Sequence, residues 1–100
     1  MITCEIAIIG GGIVGTGIAR ELSKYQLDIV LIEKQCDIAS GTTKGNGGVT
    51  HSGYDAKYGT LKGKLNVKGA LMYPELSKEL DFDYRQCGTL TLGFNEDDLK

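Results

Sequence analysis

A cluster of glycines between a short apolar run and a helical pattern constrains this chain more than any other feature. Residues 6–9 read Ile-Ala-Ile-Ile and lead directly into Gly10–Gly12, with Gly15 following shortly after. Short, almost wholly apolar, β-branched runs are typical of strands covered on both faces, and glycine permits a sharp turn from strand to helix. The sequence therefore predicts that a strand, Glu5–Ile9, turns within a few residues into a helix.

A second strand follows that helix. Val14, Ile18 and Leu22 recur every four residues, which predicts a helix over Ile13–Tyr25 with one apolar face. Asp28–Ile32 is again short and apolar, so it predicts another buried strand. Two such strands around one helix form a βαβ unit, for which we expect a right-handed crossover and a parallel sheet. The predicted fold class is α/β.

The spacing of the glycines and a downstream acid point to a bound dinucleotide. Gly10, Gly12 and Gly15 fit the pattern GxGxxG, in which glycines permit the turn, the close approach of a diphosphate and tight helix–strand packing. Amides at the helix start then face the diphosphate, favoured by the helix dipole. Glu33 ends the second strand at about the distance expected for an acid that binds ribose hydroxyls and disfavours a 2′-phosphate. The sequence thus predicts a Rossmann-like FAD/NAD(P)-binding domain with contacts at Gly10, Gly11, Gly12, Ile13, Val14, Gly15 and Glu33; a glycine-rich turn with an ordinary surface glutamate is the alternative.

Charge and composition argue against several other classes. A net charge of −2 and a pI near 5.3 supply no basic face for nucleic acid. Three cysteines without a CxxC pair offer no local metal site. No apolar run approaches the roughly 20 residues of a membrane span, and no signal peptide is visible. We therefore expect a cytoplasmic protein without a nucleic-acid partner or a bound metal, and nothing indicates contact with a membrane surface.

The residues after Glu33 bear on the choice between flavin and nicotinamide. A nicotinamide-binding domain would soon continue with a third strand and helix, whereas this chain continues with Gly, Ser, Thr and Asn over residues 40–48, the polar loop. Its hydroxyls can bond phosphate oxygens, its glycines let the backbone approach a flat ring, and Asn46 offers an amide. On composition alone, a flexible surface loop is an equal alternative.

Several stretches carry a resemblance to a known family. Residues 6–22, Glu33-Lys34 and residues 39–53, which read Ala-Ser-Gly-Thr-Thr-Lys-Gly-Asn-Gly-Gly-Val-Thr-His-Ser-Gly, resemble the D-amino-acid-oxidase-type FAD-dependent oxidoreductases. The chain is most similar to the branch that holds L-2-hydroxyglutarate oxidases and dehydrogenases and bacterial anaerobic-type glycerol-3-phosphate dehydrogenases. Residues 59–62 and 87–90 also resemble that branch, so the likeness covers nearly the whole chain.

The resemblance implies FAD as the cofactor and assigns further contacts along it. The motif glycines would hold the diphosphate, Glu33 the adenosine ribose, and Lys34 would lie beside the adenine. The polar loop would run past the diphosphate and ribityl chain toward the isoalloxazine ring. The cofactor-binding residues implied beyond the motif are Lys34, Ser40, Thr42, Thr43, Asn46 and Gly47.

His51 is the candidate catalytic residue. It is the only histidine in the chain and matches the family's histidine near the flavin. Imidazole titrates near neutral pH, which suits a general base that takes a hydroxyl proton while a hydride leaves carbon for the flavin. The alternative is a histidine that packs or orients the flavin without moving a proton.

Two departures from the family pattern affect the expected substrate. The branch usually has Asn-Ser-Gly where this chain has Asn46-Gly47-Gly48, so one hydroxyl contact is missing. Better-known glycerol-phosphate enzymes carry an arginine where this chain has Tyr54-Asp55, and an acid would repel a substrate phosphate. We therefore expect a 2-hydroxyglutarate-like hydroxy acid, with glycerol 3-phosphate as the alternative.

The second half of the chain predicts elements that lead toward a substrate domain. Leu61–Leu80 has helical periodicity, with Pro74 expected to bend the helix or to start a second one. Tyr84–Phe94 alternates as a strand does, and Asn95 can cap a helix. We therefore predict the N-terminal part of an FAD-binding domain, with a βαβ unit and flavin loop over residues 1–53. Residues 54–100 would begin an appended substrate-domain sheet, and the remainder of the enzyme would lie outside this chain.

Together these features predict an FAD-dependent oxidoreductase that acts on the CH–OH group of a small hydroxy acid or polyol phosphate. Electrons would pass on to oxygen, a quinone or a redox partner, and the 100 residues alone would be inactive. A non-catalytic dinucleotide-binding module and an NAD-dependent dehydrogenase are the alternatives.

Overall fold

The computed structural model describes residues 1–90 and 92–99. The chain forms two compact units, Met1–Val49 and Thr50–Lys100, which are called the N-terminal unit and the C-terminal unit below.

The N-terminal unit is a small βαβ unit. Strand β1 (Ile6–Ile9) is followed by helix α1 (Ile13–Leu22) and strand β2 (Ile29–Ile32). The two strands pair in parallel, from Ile6 opposite Ile29 to Ile9 opposite Ile32, and α1 packs on both. The predicted parallel α/β arrangement is confirmed, with each element beginning within one residue of its predicted start.

The strands are less covered than their apolar sequences predict. Ile8 is 7% exposed and is the buried hydrophobic residue of the described part of the chain, whereas Ile9 is 86% and Ile32 51% exposed. The expectation of strands covered on both faces is therefore wrong for this unit. One short helix cannot cover both faces of a sheet, and parallel strands need a layer on each side to be fully buried.

Helix α1 is also shorter than its pattern predicts. It ends at Leu22 because the chain turns there: Ser23 donates its backbone N–H to Ala19, and the Tyr25 N–H then bonds the Leu22 carbonyl at 3.0 Å. Tyr25 therefore lies in the turn that leads to β2.

The C-terminal unit is built on one helix, α2 (Leu61–Glu79). The hydroxyl of Thr60 caps its start by accepting the Gly63 N–H at 3.2 Å. Pro74 lies inside the helix and does not begin a second one, so that alternative is wrong. Proline removes one backbone donor, but the helical bonds on either side carry α2 through this position.

The predicted strand Tyr84–Phe94 does not form in the described residues, which exclude Thr91. A strand is defined by hydrogen bonds to a neighbouring strand, and β1 and β2 pair only with each other here. Gly88 also adopts a φ of 76°, which breaks the alternation of a strand. Instead, Phe82 and Tyr84 turn back onto Tyr73 of α2, with ring centroids 6.3 and 5.5 Å from it.

A short 3-10 helix, Glu96–Leu99, closes the described part of the chain. The Oδ1 atom of Asn95 accepts the backbone N–H groups of Asp97 and Asp98 at 3.1 and 3.2 Å, as predicted for a capping asparagine. Across residues 1–90 and 92–99, no helix has both the length and the hydropathy needed to cross a membrane.

Candidate functional site

The turn between β1 and α1 and the first turn of α1 each require a glycine. Gly10 adopts a φ of 103° and donates its N–H to the Ile32 carbonyl at 2.8 Å, which ties the turn to β2. A Cβ added to Gly15 would lie 1.9 Å from the Gly10 carbonyl oxygen. The helix therefore starts directly against the end of the strand, as the glycine spacing predicts.

The start of α1 leaves backbone donors without partners. Gly12 is the N-cap and has no side chain to cap the helix. The Ile13 N–H is bonded by the hydroxyl oxygen of Thr43 at 3.0 Å, whereas the N–H groups of Gly12, Val14 and Gly15 find no acceptor within the described residues. Such donors, together with the positive end of the helix dipole, favour an anion.

The carboxylate of Glu33 lies against this turn. Its Oε2 accepts the Gly11 N–H at 2.7 Å and its Oε1 accepts the Gln35 N–H at 2.9 Å. These bonds, first that from Gln35 and then that from Gly11, hold the pKa of Glu33 below its ordinary value, because N–H donors stabilise the charged form. Glu33 is thus an ionised, half-buried acid directed at the glycine turn.

The polar loop and the residue before it return to the same turn. The N–H of Ala39, directly before the loop, bonds the Gly11 carbonyl at 2.9 Å. Within the loop, the amide of Asn46 donates to the Thr43 carbonyl and accepts the Gly48 N–H at 2.7 Å. A loop that on composition alone was equally consistent with a flexible segment is therefore bonded both to itself and to the motif.

Two grooves of the N-terminal unit meet at Gly12, Thr42 and Thr43. One groove passes Glu33 and continues along the residues after β2; the other runs along β1 and the start of α1. Eleven of the thirteen cofactor residues predicted from the sequence line one or both of these grooves: Gly10, Gly12, Ile13, Val14, Gly15, Glu33, Lys34, Ser40, Thr42, Thr43 and Asn46. Gly11 is buried behind Glu33, and Gly47 is exposed on the loop.

His51 belongs to the C-terminal unit. Its ring is exposed and stacks on Tyr54, with centroids 5.7 Å apart and planes inclined by 21°. The structure therefore gives His51 an aromatic neighbour, and its catalytic role stays a prediction.

Sequence reasoning missed how the loop is held. The contact of Ala39 with Gly11 is made by backbone atoms, so no side chain signals it. The turn closed by Asn46 does have a signal, because asparagine followed by glycine is typical of a turn in which the side chain bonds backbone two residues on. The bond between Thr43 and Ile13 joins residues 30 apart, and no local pattern indicates it.

Comparison with known proteins agrees with this geometry. Residues 5–100 match the family described as DAO, FAD dependent oxidoreductase. A glycerol 3-phosphate dehydrogenase from Caloramator mitchellensis is 54% identical over 96 residues, which cover 96% of this chain and 20% of that protein. A glycerol 3-phosphate oxidase from Mycoplasma genitalium is 37% identical over 99 residues, covering 98% of this chain and 26% of that protein.

A mitochondrial L-2-hydroxyglutarate dehydrogenase from Homo sapiens is 39% identical over 97 residues, covering 95% of this chain and 21% of that protein. The chain thus spans about a fifth to a quarter of the length of these relatives. Because the family match extends over residues 5–100, this chain belongs to the DAO family of FAD dependent oxidoreductases.

Proposed function

We propose that this chain forms part of the FAD-binding region of an enzyme that oxidises the CH–OH group of a small anionic molecule. The observation that carries the proposal is the open start of α1, where unpartnered backbone donors stand beside the glycine turn. The family membership supports FAD as the occupant, because the family is FAD dependent.

The residues at the turn fit a dinucleotide. Backbone donors and a helix N-terminus suit a diphosphate. Glu33 retains acceptor capacity for ribose hydroxyls, because each carboxylate oxygen has a second lone pair besides the one used by Gly11 or Gln35. A Cβ at Gly12 would lie 3.1 Å from the Thr43 hydroxyl oxygen and would crowd the point where the two grooves meet.

Each part of the site then has a separate task. When bound, FAD supplies the ring that accepts the hydride, while the protein supplies binding and orientation. The start of α1 would hold the diphosphate, Glu33 would orient the ribose, and Lys34 would lie beside the adenine. We assign to His51 the removal of the substrate's hydroxyl proton.

Two substrate classes have support. Asp55 carries a negative charge close in sequence to His51, which disfavours a phosphate and favours a 2-hydroxy acid such as 2-hydroxyglutarate. Glycerol 3-phosphate is the second candidate because a relative at 54% identity is named a glycerol 3-phosphate dehydrogenase. Both are small anions with an oxidisable CH–OH group.

The cofactor is tested first, on the intact protein purified without added ligand. We expect a yellow protein with flavin absorbance, and thermal stabilisation by FAD but not by NAD, because only a ligand of the native state raises its stability. Stabilisation by NAD alone would make the protein a nicotinamide enzyme. If neither ligand binds, the proposal is wrong.

The substrate is tested by anaerobic mixing with L-2-hydroxyglutarate or glycerol 3-phosphate. Loss of flavin absorbance with one compound identifies the class of substrate. If flavin binds but neither compound nor related hydroxy acids reduce it, the proposed oxidation of a CH–OH group is wrong, as expected for a non-catalytic dinucleotide-binding module.

Replacement of His51 by Asn tests the proton transfer in the same assay. Loss of a general base should slow flavin reduction by about 100-fold or more, with FAD content unchanged. A matched His51→Gln variant should behave alike. A reduction rate that falls by less than about tenfold would leave His51 without a role as the base.

A further inference from the structure

Both ends of the Asn46 side-chain amide are bonded within the polar loop. Its amide nitrogen donates to the Thr43 carbonyl, and its carbonyl oxygen accepts the Gly48 N–H at 2.7 Å. Two bonds to backbone on opposite sides of the residue fix both the position and the plane of the amide. An amide held in this way has little freedom to turn toward a ligand.

Thr43 links the bonded Asn46 amide to helix α1. Its hydroxyl oxygen accepts the Ile13 N–H at 3.0 Å, the donor at the first position of α1. Thr43 is half-buried, whereas Asn46 is exposed. The remaining backbone bonds of the loop, from Lys44 to Gly41 and from Gly45 to Thr42, bypass the Thr43 carbonyl. Among the described residues, Asn46 is therefore the group that holds Thr43 from the loop side.

We propose that Asn46 is a positioning residue: it sets the Thr43 hydroxyl against the start of α1 and contributes to cofactor binding through Thr43 rather than by its own contact. The inference rests on the proposed function, since it assumes that the start of α1 holds the FAD diphosphate. It revises the role that the resemblance implies for Asn46, which was a direct contact along the cofactor.

The same geometry explains how Thr43 can serve the ligand while bonded to Ile13. A hydroxyl has one donor and two acceptor lone pairs. Because Thr43 accepts from Ile13, its proton is directed away from that N–H and is available for a phosphate oxygen. Rotation of the Thr43 backbone would lose this alignment, and the Asn46 amide opposes that rotation.

The test uses the intact protein and measures the Kd for FAD after removal and re-addition of the cofactor. The variants are Asn46→Ala, Thr43→Val and the two combined. Each single change should weaken FAD binding about five- to tenfold, as expected for a lost neutral hydrogen bond. If Asn46 acts through Thr43, the double variant should be no weaker than Thr43→Val by more than about twofold.

Asn95→Ala is the matched control. Asn95 likewise makes two side-chain bonds to backbone, because its Oδ1 accepts the N–H groups of Asp97 and Asp98, but it does so in the C-terminal unit. It should lose as many side-chain bonds as Asn46→Ala and leave the Kd for FAD unchanged. The visible absorption spectrum of bound flavin gives the second readout, and it should be the same in Asn46→Ala as in the unaltered protein.

Three results would overturn the inference. Additive losses in the double variant, or a shifted flavin spectrum in Asn46→Ala, would mean that Asn46 contacts the cofactor itself; an unchanged Kd would mean that it has no role in binding. Should Asn46→Ala fold poorly, Asn46→Ser replaces it. Serine can bond the Gly48 N–H in a similar turn but lacks the amide NH2 group that bonds the Thr43 carbonyl. Failure of the unaltered protein to bind added FAD would instead refute the proposed function.

Discussion

The two helices of this chain begin in opposite ways. The N-cap of helix α2 is Thr60, whose hydroxyl oxygen accepts the Gly63 N–H at 3.2 Å, so the first turn is closed by the residue next to it. The N-cap of helix α1 is Gly12, which has no side chain, and the acceptor for the Ile13 N–H comes from Thr43. A start capped by its own N-cap residue is stable without a ligand. A start without such a cap leaves backbone N–H groups unbonded, and these groups can bind an anion.

Among the substitutions that test this comparison, we expect the largest effect where Gly15 contacts Gly10. Gly15→Ala should destabilise the protein by about 3 kcal/mol, because the new Cβ would lie 1.9 Å from the Gly10 carbonyl oxygen. FAD binding should be lost with it. Gly17→Ala is the control on the same helix: nothing lies within 4 Å of its Cβ, so alanine should stabilise α1 by about 0.5–1 kcal/mol. Denaturant unfolding and FAD titration are measured for both variants. If the two variants are equally stable, the close packing of Gly15 on Gly10 is unimportant.

Replacement of Glu33 should give the next largest effect, and that effect should be confined to the N-terminal unit. Glu33→Gln should weaken FAD binding roughly tenfold, since one side-chain NH2 would face the N–H of Gly11 or Gln35 and charge-assisted bonds would be lost. Because the pKa of Glu33 is lowered in the folded chain, its contribution to stability is present above the pKa of an unfolded glutamate. It is lost as pH falls through the lowered value.

The pH dependence of FAD binding checks this prediction. Affinity should fall on acidification in the unaltered protein and change less in Glu33→Gln. Glu21→Gln is a matched control: the pKa of Glu21 is also lowered, first by its bond with Lys24, but that pair is exposed on α1. An equal loss of FAD affinity in both variants would remove the special role of Glu33.

Thr60 gives the smallest effect and tests the other helix start. Thr60→Ala should lower stability by about 1 kcal/mol, because the cap of α2 is lost. Thr60→Ser retains the hydroxyl and should lose less than half of that. Neither change should alter the Kd for FAD, in contrast to Thr43→Val. A change in FAD affinity for Thr60→Ala would mean that the two helix starts are not separate in function.

Local patterns were sufficient to predict the βαβ unit. The strands, the helix and the position of Glu33 follow from short-range periodicity and from glycine spacing, and these constraints act between residues close in sequence. The close contact of Gly15 with Gly10 was predictable for the same reason, since the motif itself encodes it.

The errors arise where a structure depends on groups far along the chain. The alternation over Tyr84–Phe94 predicts a strand, yet a strand requires a neighbour, and none pairs with the described residues of this segment. The apolar runs of β1 and β2 predict burial on both faces, but burial depends on what packs there. The acceptor for Ile13 is likewise set by tertiary structure, as Thr43 is 30 residues away.

That separation has a consequence for when the anion site is completed during folding. A helix of ten residues is marginal by itself, and the hydroxyl of Thr43 reaches Ile13 only when a segment of 30 residues closes on itself. The site at the start of α1 is therefore completed only when the loop that carries Thr43 has closed, and a chain truncated before residue 43 would lack that hydroxyl.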